Sequence, residues 1–254
     1  MFDSILSQEA AFSPGLGLHA AMTLAEPILR SAGFEVAAYD FSPVPISHEG
    51  AFLLPTVLTL HGAPDDMERL WVEDGYYTRD PVMEASLAVT RPFHWSHTGP
   101  QSEIMRRTLS EHHSPVVSYL HDTHMTSGIT VPLRTASGAL ATFTAIRLDP
   151  DPHGEAAAHV SAVGYLGRLF HDAVMPGFGP KQLRTPHVSL SPRERQCLKM
   201  CAAGLTTKQI AHELSRSEPT VTLHLGSAAR KLGARNRVHA IALAAHYRLL
   251  ADDA

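Results

Sequence analysis

The chain has 254 residues, 44% hydrophobic and 18% charged, with a formal net charge of −4, which is the balance of one large or two ordinary folded domains and excludes a disordered chain. No apolar run approaches the ~20 residues of a membrane span, and Met1-Phe2-Asp3-Ser4 lacks the basic and apolar regions of a secretion signal, so no membrane partner is expected and the cytoplasm is the expected compartment. Charge is unevenly placed: from Ser189 onward ten Lys and Arg stand against five Asp and Glu, the remainder holds eleven against twenty, and only the C-terminal end suits a polyanion.

Residues 17–33 carry apolar residues at helical spacing and stop at Gly33, which predicts a helix. Val36-Ala37-Ala38-Tyr39-Asp40-Phe41 and Thr56-Val57-Leu58-Thr59-Leu60 predict strands, with Pro43, Pro45 and Gly50 in the loop between them. Residues 64–75 read as a helix with aspartates in its first turn and Met67, Leu70 and Trp71 on one face. Asp80-Pro81 has the form of an N-cap followed by proline at the first helical position, opening a short helix to about Ala88. Arg91-Pro92-Phe93-His94-Trp95 reads as an aromatic turn, and a polar helix is expected from Ser102 to about His113. Residues 128–133 and 140–146 predict a hairpin, followed by a helix over about 155–173. Helices on the faces of an antiparallel sheet make an α+β fold, an α/β/α sandwich over residues 1–174, and the proline- and glycine-rich stretch 175–188 is the expected linker.

Residues 189–254 are expected to form an all-α domain of four helices. Ser191-Pro192-Arg193-Glu194 is a capping box with proline at the first helical position, and Gly204 ends the helix that it opens. Thr206-Thr207-Lys208-Gln209 opens a second helix, Ser217 caps a third that ends at Gly233, and Asn236 opens a fourth to about Leu249. The tight turn between the second and third makes a helix-turn-helix. On a wheel of the third helix, Val221, Leu225, Ala228 and Leu232 share one arc, and Thr222, Leu223, Gly226, Ser227 and Arg230 lie opposite. His224 and Lys231 fall on the flank, where a basic side chain reaches a phosphate. Cys197 and Cys201, four apart on a helix, are expected as buried thiols, because a mutual disulfide is geometrically unfavourable and a zinc set lacks two ligands.

At Leu190-Ser191-Pro192-Arg193-Glu194, Gly204-Leu205-Thr206, Ile210-Ala211, Thr220-Val221, His224 and Lys231-Leu232 the chain resembles the DNA-binding domain of the LuxR family of transcription factors. Asp80-Pro81, Trp95, Ser127-Gly128-Ile129-Thr130, Pro132 and Thr144 resemble the acyl-homoserine-lactone-binding domain of its quorum-sensing members. The resemblance implies a ligand pocket at Asp80, Trp71, Met67, Trp95 and Thr144, and Tyr39 is a further aromatic candidate for its lining. It also implies a DNA-contacting set of Thr220, Thr222, Leu223, His224, Gly226, Arg230 and Lys231. Where lactone-binding members carry a tryptophan that donates its indole N–H to the lactone carbonyl, and a tyrosine, this chain has Met67 and Trp71. A thioether cannot donate. The Met and Trp pair is similar to that of LuxR solos of plant-associated bacteria, which respond to plant-derived small molecules in interkingdom signalling.

The residues alone leave plainer readings beside these. Asp80 serves as a helix cap, as an acceptor for a ligand N–H, or as both. Met67 and Trp71 fit core packing, Trp95 and Tyr39 are pocket lining or packing, and Thr144 faces a ligand or the sheet's own core. Thr222, Leu223 and Gly226, which occupy base-reading positions by resemblance, are too small or apolar for bidentate contacts, so specificity is expected to lean on shape and phosphate positioning. His112-His113 and His121-Asp122-Thr123-His124 lack a third spaced ligand for a metal. No paired catalytic carboxylates, phosphate loop or nucleophile elbow is present, so no enzyme and no cofactor are expected beyond a small-molecule effector. The expected protein is a signal-responsive regulator that binds double-stranded DNA as a homodimer at a two-fold symmetric site, with an apolar stripe of Val238, Ile241, Ala245 and Leu249 on the fourth helix as a candidate dimer contact. The alternatives are an ordinary acyl-homoserine-lactone receptor and a ligand-independent N-terminal interaction module.

Overall fold

Alternating small, aromatic and β-branched side chains favour a pleated sheet with two dissimilar faces. The computed structural model, which describes residues 1–98, 102–148, 151 and 154–250, builds such a sheet in the first of two units, Met1–Pro45 with Leu53–Gly179; the second is Ile46–Phe52 with Pro180–Ala254. The division at Gly179 falls inside the expected linker, while segment 46–52, which the sequence places in the first domain, groups with the second unit.

Helices α1 (Phe2–Gln8) and α2 (Leu18–Arg30) lead into β1 (Val36–Ser42) and β2 (Val57–His61). Then come α3 (Met67–Val72), α4 (Pro81–Ala88), β3 (Phe93–Ser96), α5 (Glu103–Thr108) and α6 (Ser114–Asp122). The hairpin β4 (Ser127–Arg134) and β5 (Leu140–Arg147) and helix α7 (Val160–Val174) complete the unit. The strands run antiparallel in the order β2-β1-β5-β4-β3, with Ala38 opposite Thr144, Tyr39 opposite Phe143 and Asp40 opposite Thr142. One face, carrying Tyr39, Phe41, Ile129 and Phe143, packs on α2 and α7 through residues such as Leu29, Leu166 and Phe170 to form the main core. Each such side chain contributes roughly 1.5–3 kcal/mol by leaving water. The other face meets α3, α4 and α6 and holds the cavity described below. The result is the expected α/β/α sandwich.

Three local expectations change. Phe93–Ser96 is an edge strand paired with β4, not an aromatic turn, because the flat ring of Trp95 lies on Gly128 directly across the ladder. A Cβ added to Gly128 would stand 2.6 Å from both that ring and the Ala145 carbonyl oxygen. The polar helix expected over 102–113 stops at Thr108, since Leu109 and Ser110 are extended and Ser110 caps a separate turn closed by His113. Helix α6 then starts at Ser114-Pro115 and was not anticipated. The helix expected over 64–75 is confined to Met67–Val72.

The second unit contains α8 (Pro180–Leu183), α9 (Pro192–Ala202), α10 (Thr207–Glu213), α11 (Glu218–Lys231) and α12 (Arg237–His246). Ser191 with Glu194, and Thr206 with Gln209, form reciprocal capping boxes; Ser217 accepts from the Thr220 amide and Asn236 from the His239 amide. Such caps contribute about 1 kcal/mol each. Cys197, Cys201, Ile210, Ala211 and Val221 form the core, so the two free thiols are packed hydrophobes. No helix among the described residues is long and apolar enough to cross a membrane.

Candidate functional site

The inner sheet face is floored by Ala38 and Asp40 of β1, Leu58 and Leu60 of β2, and Thr144 and Ile146 of β5. Met67 and Trp71 of α3, Tyr77, Asp80 of α4, Trp95 of β3 and Leu120 of α6 wall a cavity over that floor. The space between these groups is about 480 Å³, including the part that opens to solvent.

The cavity brings together Asp80, Trp71, Met67, Trp95 and Thr144 of the expected set. Tyr39 does not join them. Strand alternation places it on the opposite face, where it packs on Phe170 and its hydroxyl meets His171 Nδ1 at 2.9 Å; its role is core packing. The neighbouring Asp40, which the sequence reading passed over, faces the cavity in its place.

The polar wiring follows from where the chain places each group. Asp80, at the start of α4, accepts the Val82 amide on Oδ1 at 2.8 Å and the Trp71 indole N–H on Oδ2 at 3.0 Å, so it is both a cap and a wall of the cavity. Asp40 accepts the Tyr77 hydroxyl at 2.8 Å and, through its other oxygen, the Thr142 hydroxyl. Trp95 donates its indole N–H to Thr130 Oγ1 at 3.0 Å, and Thr130 and Thr144 share a bond of 2.9 Å. Both carboxylates are buried, at 3% exposure for Asp40 and 8% for Asp80. Burial pushes Asp40 up to about 7, against the pull of the Thr142 and Tyr77 hydrogen bonds and with help from the charge of Asp80. Burial also raises Asp80, opposed by the Val82 amide and the Trp71 indole. Tyr77 and the wall helix α6 are the other parts that the sequence reading missed. Tyr119 of α6 stacks edge-on against Trp71 with ring centres 5.5 Å apart, and its hydroxyl donates to Asp66 at 2.7 Å. The Ser114-Pro115 start and the Val116 and Leu120 spacing were signals enough for that helix.

On α11, Val221, Ala228 and Leu232 are buried as the wheel requires, while Leu223 is 66% exposed beside exposed Thr222, Gly226 and Arg230. Thr220 and His224 lie partly exposed on the same helix. Two residues depart from expectation. Ser227 turns inward and donates to Glu194 Oε1 at 2.6 Å, and Lys231, expected to reach a phosphate, donates to Glu194 Oε2 at 2.7 Å. Glu194 also accepts the Ser191 amide at 2.7 Å. Burial pushes its carboxyl up, yet the hydrogen bonds from Lys231, Ser227 and Ser191 outweigh that and hold it down to about 2. Lys231 therefore ties α11 to α9. The expected stripe on α12 also divides: Val238 is 76% exposed, whereas Leu249 is buried and Ile241 packs on the core of its unit.

Residues 18–174 match the family model for the autoinducer binding domain, and residues 188–244 match that for bacterial regulatory proteins of the luxR family. The transcriptional activator protein BjaR1 of Bradyrhizobium diazoefficiens is 27% identical over 94% of this chain and 94% of its own length. The quorum sensing-dependent transcriptional regulator RpaR of Rhodopseudomonas palustris is 30% identical over 86% of this chain and 84% of its own. The crystal structure of Escherichia coli SdiA shares the fold with a TM-score of 0.58 at 18% identity, covering 98% of each chain. With a signal-binding model over one unit and a helix-turn-helix model over the other, the chain belongs to the LuxR family of ligand-binding, DNA-binding transcriptional regulators and not to a family of enzymes.

Proposed function

We propose that the cavity on the inner sheet face is the signal site, walled by Asp80, Trp71, Met67, Trp95 and Thr144, and that its signal is a plant-derived compound rather than a standard acyl-homoserine lactone. The observation that carries this reading is the 3.0 Å bond from Trp71 Nε1 to Asp80 Oδ2. Met67 has no proton to donate, and the indole that could have replaced the missing donor is already held by a carboxylate. A lactone carbonyl buried beside Met67 would lack a partner, which costs roughly 1–3 kcal/mol, or about fivefold to over a hundredfold in affinity. Signal binding then biases packing and dimerisation in the cytoplasm. This sets the spacing of two α11 helices over a two-fold symmetric DNA site, which Thr220, Thr222, Leu223, His224, Gly226 and Arg230 touch.

The test compares N-octanoyl-homoserine lactone binding to the native chain and to a Met67→Trp, Trp71→Tyr double variant by titration calorimetry. The variant is expected to bind at least about tenfold tighter. Equal affinity for the two would overturn this account of the pocket. A thermal-shift screen of the native chain against host-plant extract fractions provides the positive arm, since a ligand that binds only the folded state raises the melting temperature.

A further inference from the structure

The side-chain donors that line the cavity are almost all engaged within the protein. Trp71 gives its N–H to Asp80, Tyr77 its hydroxyl to Asp40, and Trp95 its N–H to Thr130. Only the Thr144 hydroxyl, depending on which way its bond to Thr130 points, retains a proton to offer. The acceptors are in the reverse condition. Each carboxylate oxygen of Asp40 and Asp80 can take about two hydrogen bonds; Asp40 receives one donor on each oxygen, and Asp80 receives the Val82 amide and the Trp71 indole, with the Met83 amide also acting on it. No Lys, Arg or His stands among the described residues of the lining; His113, bonded to Glu84 behind it, acts on Asp80, whereas no cationic group acts on the buried Asp40. A buried anion without a counter-charge is unfavourable by several kcal/mol. Trp71, Tyr77 and Trp95 line the same cavity, and aromatic rings attract a cation.

We propose that the signal carries a protonated amine, seated with Asp40 and Asp80 among the rings of Trp71, Tyr77 and Trp95, so that the ligand supplies both the hydrogen-bond donors and the positive charge that the cavity lacks. The inference rests on the reading of this cavity as the signal site. It assigns Asp40 to recognition of the cation and leaves Asp80 free to accept an amide or amine N–H as well. The titratable groups acting on Asp40 are Tyr77 and Asp80. Near neutral pH Asp40, pushed up to about 7, carries its proton in part of the molecules; a bound cation favours the ionised form, and that proton leaves to solvent.

The test uses the full chain and a matched pair of probes with the same acyl tail, N-octanoyl-ethylenediamine, which ends in an ammonium, and N-octanoylethanolamine, which ends in a hydroxyl. The ammonium probe is expected to bind at least about tenfold tighter to the native chain. Asp40→Asn is expected to abolish that preference, with a circular dichroism spectrum that matches the native chain certifying the fold of the variant. Independently of any variant, calorimetry at pH 7 in buffers of different ionisation enthalpy is expected to record proton release with the ammonium probe and none with its partner. Equal binding of the two probes, or a preference for the ammonium that survives Asp40→Asn, overturns the cation assignment and leaves the cavity standing as the signal site. Binding of both probes that is unaffected by a cavity-filling Thr144→Phe overturns the cavity reading with it.

Discussion

A buried carboxylate meets opposite treatment in the two units. Glu194 of α9 gathers the Ser227 hydroxyl, the Lys231 ammonium and the Ser191 amide within 2.6–2.7 Å, and it is held down to about 2. Asp40 of β1 receives only neutral hydroxyls, lies near a second carboxylate, and is pushed up to about 7. The chemistry of the group is nearly the same; what differs is whether the chain itself supplies the positive charge. The carboxylate of the helical unit is fully partnered by its own chain, and it ties α11 to α9. The sheet unit leaves its inner face short of a cation and of donors, which is the condition of a site that an outside molecule completes.

The comparison breaks most readily at Glu194. Glu194→Ala leaves Ser227 and the Ser191 amide without their acceptor and frees Lys231, whose side chain is 44% exposed, so that its ammonium rehydrates. The expected loss is roughly 2–3 kcal/mol, below that of a wholly buried ion pair. Hydrogen exchange of amides in α9 to α12 under urea measures it. Trp71 and Trp95, the chain's only two tryptophans, both lie in the sheet unit, so their fluorescence transition is expected to stay in place. If both transitions move together, the two units are not separately balanced.

The same contrast predicts pH responses of opposite sign. Asp40, with a folded pKa of about 7 against an ordinary 3.8, contributes stability that is present below about 3.8 and lost as pH rises through about 7. Glu194, with a folded pKa of about 2 against 4.5, contributes stability that is present above about 4.5 and lost as pH falls through about 2. Tryptophan-monitored unfolding is therefore expected to weaken from pH 4 to 7 by up to about 1.4 kcal/mol per pH unit from this one group. Asp40→Asn is expected to flatten that slope. A slope that persists in the variant would assign the pH response to another group and remove Asp40 from the comparison.

What could be read in advance was what is local. The capping boxes at Ser191 and Thr206 close over three residues, and the Asp80-Pro81 cap over two, so the residues that form them stand side by side in the chain. The arcs of α11 follow from its period for the same reason. The polar pairings of the site are distant: Asp40 meets Tyr77 37 positions along the chain and Thr142 102 positions along, and Glu194 meets Lys231 37 positions along. Nothing in a single segment foretells such partners. Trp95 illustrates the limit, since Arg91-Pro92 reads as a turn until its ring is seen lying on Gly128 across the ladder. Tyr39 is different. Strand alternation already sets Tyr39 and Asp40 on opposite faces, so the ring and the carboxylate are equal candidates for the cavity until the packing of α7 on the Tyr39 face decides between them.

The smallest expected effect sharpens the account of the helical unit on its outer face. Glycine inside a helix is less favourable than alanine by about 1 kcal/mol, and a Cβ added to Gly226 meets nothing within 4 Å, so no packing in the protein explains the residue. Gly226→Ala is therefore expected to stabilise the helical unit by about 1 kcal/mol in urea unfolding. If α11 lies with its backbone close against DNA at this position, the same variant binds a duplex selected by the native chain about tenfold more weakly, because a methyl group holds the helix off the groove. Fluorescence anisotropy at two salt concentrations separates this loss from one of phosphate contacts, since the salt slope is expected to remain unchanged for Gly226→Ala and to flatten for Arg230→Ala. A variant that is both more stable and equally tight on DNA would show that the glycine serves neither packing nor approach, and would move the close contact with DNA away from the face of Thr222 and Leu223.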